Sequence, residues 1–186
     1  GVADSGDGYI LLKRILRPAQ DASVLPDAFY DFARAPNAQP QLRTDIVFGD
    51  AVQLIGYDVI PDPRWHTVRV RYYWQALRPL DPDVHLYPFY HDTNGNVIED
   101  TTRRPMVATV WYPLTQWRPS TGSGRAGETI VTETLPWDVG DSFALAVGVM
   151  RGNDWDRKGR RLATSSGETQ VELGQYAWQG KELIRK

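Results

Sequence analysis

From Asp45 onward, apolar residues recur at every second position, the period of a strand with one buried face. In "TVRVRYYWQA", Val68, Val70, Tyr72, Trp74 and Ala76 fall on one face, and Arg69, Arg71, Tyr73 and Gln75 on the other. "DSFALAVGVM" repeats the pattern, with Phe143, Leu145, Val147 and Val149 on one side and the small Ala144, Ala146 and Gly148 opposite. "AVQLIGYDVI", "ETIVTETL" and "TQVELGQY" are further strand candidates. Roughly eight such strands separated by Gly, Pro, Asn and Asp turns predict an all-β fold. Its form is an antiparallel two-sheet β-sandwich of jelly-roll or immunoglobulin-like type.

Outside this region the period changes. Residues 1–40 read as an N-terminal extension, 41–178 as the sandwich, and 179–186 as a C-terminal tail that leaves the sheet. The extension holds an apolar run, "YILLKRIL", and one short helix in "LPDAFYDFARA". There Pro26 suits a first helical turn, and Phe29, Phe32 and Ala33 at i, i+3 and i+4 would share a face. Ser120 to Gly127, rich in Gly and Ser, predicts a loop, and "RGNDWDRKGRRL" predicts a second long connection, polar except for Trp155.

The stretch "FYHDTNGNVIED" concentrates chemistry, with His91, Asp92, Asn94, Asn96, Glu99 and Asp100 close together. A cation site, a catalytic cluster and a plain turn are all open to these residue types. Asp92, Asn94 and Asn96 alternate as calcium ligands do, but Gly95 stands fourth where a calcium loop has its glycine sixth. Asn94-Gly95 between "LYPFY" and "NVIE" predicts a two-residue hairpin turn with both residues at positive φ. The expectation is the turn, with no metal and with Asp92, Asn94 and Asn96 as weak ligand candidates.

Nucleophile motifs such as G-x-S-x-G do not accompany the histidines His66, His85 and His91. His85 and His91 share a strand face only if that strand runs unbroken through Pro88. Asp81, Asp83, Asp92, Glu99 and Asp100 qualify by type as glycosidase carboxylates, but they stand in turn-like contexts where solvated acids are expected. The residues therefore predict no catalytic site and no cofactor.

Composition narrows the classes further. The 186 residues are 41% hydrophobic and 24% charged with a net charge of -2, which disfavours nucleic acid as a partner. Cysteine is absent, so disulfides and thiolate metal sites are excluded. No run is long and apolar enough to span a membrane. Gly1 opens the chain without an initiator Met or a signal-peptide pattern, which suggests a piece of a longer protein. Aromatics are abundant at 11% with 7 Trp. Exposed rings of this kind bind pyranose faces, and Tyr73 beside Arg69 and Arg71 on the polar strand face is the leading candidate. Trp111, Trp117 and His91 are the other ligand-binding candidates.

The order "VFGDAVQLIGYDV", "RVRYYWQAL", "FYHDTNGNVIED", "RRP", "WYPLTQWRPSTGSGRAGETI" and "LAVGVM" resembles a β-sandwich module from bacterial multi-pass membrane proteins. The module sits at the extracytoplasmic C-terminus of GT-C-like glycosyltransferases of the mannosyltransferase type, and of a related predicted membrane family of unknown function. "DGYILLKR" is similar to the "GY.LL.R" element of that second family, so the resemblance covers about Gly8 to Tyr176. The family's "W.PGE" turn is interrupted here by "STGSGRA", and Met150 replaces the aromatic that closes its "VG.Y" strand. The resemblance implies an extracytoplasmic domain attached to a membrane protein that carries the catalytic groups. The sandwich itself would be non-catalytic, with weak carbohydrate binding as one role and structural or protein-interaction scaffolding as the alternative. Its partners would be a glycan or the parent's membrane domain.

Overall fold

The computed structural model describes residues 26–100, 111–119, 127–152 and 158–186. The "YILLKRIL" run, the "RRP" element, most of the Ser120–Gly127 loop and Trp155 lie outside the described residues, as do the side chains of Glu99 and Asp100. The chain divides into two compact units, Gly1–Phe32 and Ala33–Lys186.

In the first unit the predicted helix is a 3-10 helix beginning at Asp27, the element itself spanning Asp27–Ala33. Three residues per turn put i and i+3 in line. Phe29 and Phe32 accordingly meet edge-on at 6.0 Å. Ala33 falls off that line, and Phe32 is exposed rather than part of a buried face. The expected α-helical stripe is thereby corrected.

The second unit is the predicted sandwich. One sheet takes β1 (Leu42–Phe48), β2 (Val52–Asp62), β3 (Thr67–Ala76) and β6 (Thr129–Glu133), in that spatial order. The other runs β5 (Val97–Asp100), β4 (Val84–His91), β7 (Ser142–Arg151), β8 (Val171–Gln179), β9 (Glu182–Arg185). All pairings are antiparallel. The chain crosses between sheets at β3 to β4, back at β5 to β6, and again at β6 to β7. β3 neighbours β6 in one sheet while β4 neighbours β7 in the other. Immunoglobulin-like sandwiches show that adjacency between their B and E and their C and F strands.

The period-2 reading holds for the inner faces. Val68, Val70, Tyr72, Trp74 and Ala76 are all buried. The small residues of β7 have a reason as well. In register, Tyr87 lies opposite Gly148 and Phe89 opposite Ala146, so small side chains on one strand leave room for rings on the next. Tyr87, Phe89, Ala146 and Met150 form a buried cluster on this second face of the sheet.

Two boundaries move. Residues 33–40, assigned by sequence to the extension, belong to the sandwich unit. Ala35 N–H donates to the Thr129 carbonyl at 2.9 Å, and Gln41 N–H to Asp58 Oδ1 at 2.7 Å. The expected C-terminal tail instead pairs with β8 as β9, with Tyr176 opposite Arg185 and Trp178 opposite Leu183. Edge pairing uses main-chain groups, so a short charged segment such as "ELIR" joins a sheet without an alternating apolar signal.

Candidate functional site

The acidic hairpin resolves into a turn, though not the one predicted. Gly95 N–H donates to the Asp92 carbonyl at 3.0 Å, and Asp92 N–H to the Asn96 carbonyl at 2.9 Å. Gly95 has φ +83° whereas Asn94 does not take a positive φ. This is a three-residue loop with glycine at its left-handed position, not a two-residue turn with both residues left-handed. Two consecutive residues at positive φ occur elsewhere, at Gly49 and Asp50 with φ +55° and +50° in the β1–β2 turn, where Ala51 N–H donates to the Phe48 carbonyl at 3.0 Å.

Asp92 is the hairpin's internal fastener. Its Oδ1 accepts the N–H groups of Asn94 and Asn96, each at 2.8 Å, and Oδ2 accepts the Asn96 side-chain amide at 3.0 Å. The Asn96 amide, then its backbone N–H, then that of Asn94 hold the Asp92 carboxyl below the usual carboxylate value. Both oxygens thus serve the turn. No group of three or more cation-ligating acids, histidines or cysteines occurs among the described residues. The strand does run unbroken through Pro88, so His85 and His91 share a face. At about 3.3 Å per residue, however, six positions separate them by roughly 20 Å, too far to share a zinc ion.

Tyr73 is not the exposed platform expected of it. It is buried at 7% exposure, and its hydroxyl donates to Asp58 Oδ2 at 2.6 Å. Its cross-strand neighbour is Gly56, against which Pro40 packs. Alternation placed Tyr73 on the outer face correctly, but that face is itself covered. Beside it Arg69 and Arg71 share one acid, through Arg69 Nη1 to Glu133 Oε1 at 2.6 Å and Arg71 Nε to Glu133 Oε2 at 3.0 Å.

Trp117 is also buried, and its Nε1 donates to the Tyr112 carbonyl at 3.0 Å. It packs near a second charged group, in which Glu128 pairs with Arg34 and accepts from the Tyr112 hydroxyl at 2.6 Å. Burial first, then that hydrogen bond, push the Tyr112 phenol up to about 12. Trp111 retains 36% exposure. This group lies where β6 begins, the end of the sandwich opposite the acidic hairpin.

At the hairpin's end the strand directions bring four connections together: the β2–β3 turn, the β4–β5 hairpin, the β6–β7 loop and the β8–β9 turn. His91 and Asp92 are part of this end, whereas Tyr73, Arg69 and Arg71 lie on the outer sheet face. Trp65 on the β2–β3 turn is 63% exposed. The Arg64 guanidinium lies over its ring, 5.1 Å from the centroid. The adjacent His66 has φ +54°, a left-handed conformation that costs a non-glycine residue stability and calls for a structural reason.

That reason is on the opposite sheet. The His66 imidazole stacks on Trp178 of β8 at 4.8 Å and 28°. Its Nδ1 stands 3.6 Å from Asp138 Oδ1, and its Nε2 stands 3.5 Å from Asp141 Oδ1. The loop carrying both acids is pinned at each side. Val68 N–H donates to the Trp137 carbonyl at 2.8 Å, and Trp178 N–H to the Asp141 carbonyl at 2.8 Å. An exposed indole, a guanidinium and two solvent-facing carboxylates are therefore displayed on a braced frame.

Sequence reasoning passed over Trp65 as a ligand residue. A signal was present, since "IPDPRWHT" places a large aromatic among turn-forming residues, where it can pack into neither sheet face.

No known family, curated protein or solved structure matches this chain. Among the described residues no helix is long and apolar enough to cross a membrane.

Proposed function

We propose that this chain is a non-catalytic β-sandwich accessory domain on the extracytoplasmic side of a membrane glycosyltransferase-like protein, and that it binds carbohydrate weakly at its Trp65 end. The observation that carries the reading is the 63% exposure of Trp65 on a turn braced by the His66–Trp178 stack. Pyranose rings present a face of weakly positive C–H groups, which the electron-rich face of an indole attracts. Asp138, Asp141 and Arg64 supply charge-assisted hydrogen bonds of the kind that fix sugar hydroxyls. A brace that holds the ring before binding lowers the ordering cost.

Two of the carboxylates that qualified by type for hydrolysis have other occupations, which supports a binding role over a hydrolytic one. Asp92 fastens its own turn, and Asp81 pairs with Arg151 at 3.2 Å.

Glycan-array screening followed by calorimetric titration tests the reading. Wild-type protein is expected to bind an oligosaccharide at high-micromolar to millimolar affinity. Trp65→Ala is expected to lose that binding at an unchanged melting temperature, while Trp111→Ala keeps it. Absence of any glycan ligand would favour the alternative, a structural or protein-interaction module. Binding that survives Trp65→Ala would move the site elsewhere. Turnover of chromogenic glycosides would reinstate a hydrolase.

A further inference from the structure

Between the sheets, four tyrosines form one layer, Tyr57 of β2, Tyr72 of β3, Tyr90 of β4 and Tyr176 of β8, with the Tyr72 phenol in electrostatic reach of the other three. Tyr57 and Tyr72 are register partners, and all four side chains are buried. Tyr57 Oη donates to the Leu173 carbonyl at 2.5 Å. Two further contacts are long. Tyr176 Oη reaches Tyr57 Oη at 3.4 Å, and Tyr90 Oη stands 3.4 Å from Thr134 Oγ1. Hydroxyl hydrogen bonds ordinarily span 2.5–3.0 Å. Thr134 Oγ1 already accepts Val70 N–H at 2.9 Å.

Tyr72 is the sharpest case. Its side chain is 0% exposed, and its hydroxyl finds no hydrogen-bond partner among the described residues. Burial, followed by the neighbouring phenols of Tyr90, Tyr57 and Tyr176, pushes its ionisation well above the ordinary phenol value. An orphaned hydroxyl in a close-packed core forfeits its hydration without return. Apolar cavities stay dry, but a gap bordered by several hydroxyls holds water, which needs two to four polar partners.

We infer that this layer is an internal hydration site, one water molecule held by the hydroxyls of Tyr72, Tyr90 and Tyr176. Tyr72 Oη donates to the water, and the water donates to the Tyr90 and Tyr176 oxygens, each of which accepts as well as donates. The site bridges both sheets and ties β3 to β4 and β8 through solvent. It is independent of the glycan reading, which uses none of these tyrosines.

Two measurements test it. A high-resolution crystal structure of the wild-type chain is expected to show ordered density within hydrogen-bonding distance of Tyr72 Oη and of at least one other phenol. Oxygen-17 magnetic relaxation dispersion is expected to count one fewer long-lived internal water in Tyr72→Phe than in wild type, with a lower melting temperature for the variant. A dry layer, or Tyr72 Oη bonded directly to a protein atom, would overturn the inference. So would an unchanged water count together with a raised melting temperature, the signature of relieving an unpaired hydroxyl. If Tyr72→Phe does not fold, the wild-type crystal decides alone.

Discussion

The hydroxyl of Tyr73 donates to the buried carboxylate of Asp58 at 2.6 Å, while the other oxygen of that carboxylate accepts Gln41 N–H at 2.7 Å. One acid thus fastens an outer-face ring and the incoming chain to the same sheet. Burial first, and then the bond to Asp58, raise the Tyr73 phenol above its ordinary value.

Tyr73→Phe removes one of the hydrogen bonds to this buried charge. Such bonds contribute about 1.5–3 kcal/mol, and urea unfolding should show a loss of that size with glycan binding intact. Loss of binding at unchanged stability would instead return Tyr73 to the role of ligand platform.

Gly56 is a second lock on the same face. A methyl group there would stand 2.6 Å from the Leu42 carbonyl oxygen and press on Pro40. Backbone cannot yield as a flexible side chain does, so Gly56→Ala should cost about 1–3 kcal/mol, as overpacking does. Denaturant midpoints check this, and a neutral substitution would mean that the Pro40 segment lifts freely.

Alkaline pH should unfold the chain through its tyrosines. Tyr112 titrates at about 12 when folded and near 10 when unfolded. Its stabilising contribution is therefore complete below about pH 10 and lost as pH rises toward 12, because the unfolded state releases its proton first. Absorbance at 295 nm should show Tyr112 ionising after the exposed tyrosines, and Tyr112→Phe should flatten this part of the stability profile. Ionisation of all the tyrosines in one step near pH 10 on an intact fold would contradict the burial.

The Asp92 carboxyl is depressed in the folded chain, so its contribution has the opposite sign. It is present above the unfolded carboxylate value and disappears as pH falls through the folded one. Asp92→Ala should lower the melting temperature at neutral pH and show a smaller difference from wild type in acid. Millimolar calcium should leave the wild-type midpoint unchanged. A calcium-induced rise that Asp92→Ala abolishes would make the hairpin a cation site.

Local patterns wrote much of this fold. The alternation in β3 and β7 is a property of adjacent residues, and burial of one strand face enforces it at every second position. The turn at Asp92–Asn96 was foreseeable from its residue types for the same reason. Its geometry was not, because Asn-Gly fits more than one hairpin form and the pairing of the flanking strands selects among them.

Surfaces were harder to read. Period 2 assigns Tyr73 to the outer face but says nothing about what crosses that face, and Pro40 and Gln41 come from outside the strand. "ELIR" joins the sheet through main-chain bonds that no side-chain pattern announces. The candidate site is divided in the same way. Trp65 was visible as an aromatic stranded in a turn, while Trp178, Asp138 and Asp141 reach His66 from distant parts of the chain.

The sequence by itself determined that this chain forms strands with one apolar face, that those faces must meet as two sheets, and where most of the turns fall. These follow from side-chain period and backbone conformational preference, which act over a few residues. Only the tertiary structure decided which aromatics the solvent reaches and which acids stand beside His66. Those outcomes depend on long-range pairing, through which the crossings between sheets gather four separate connections at one end.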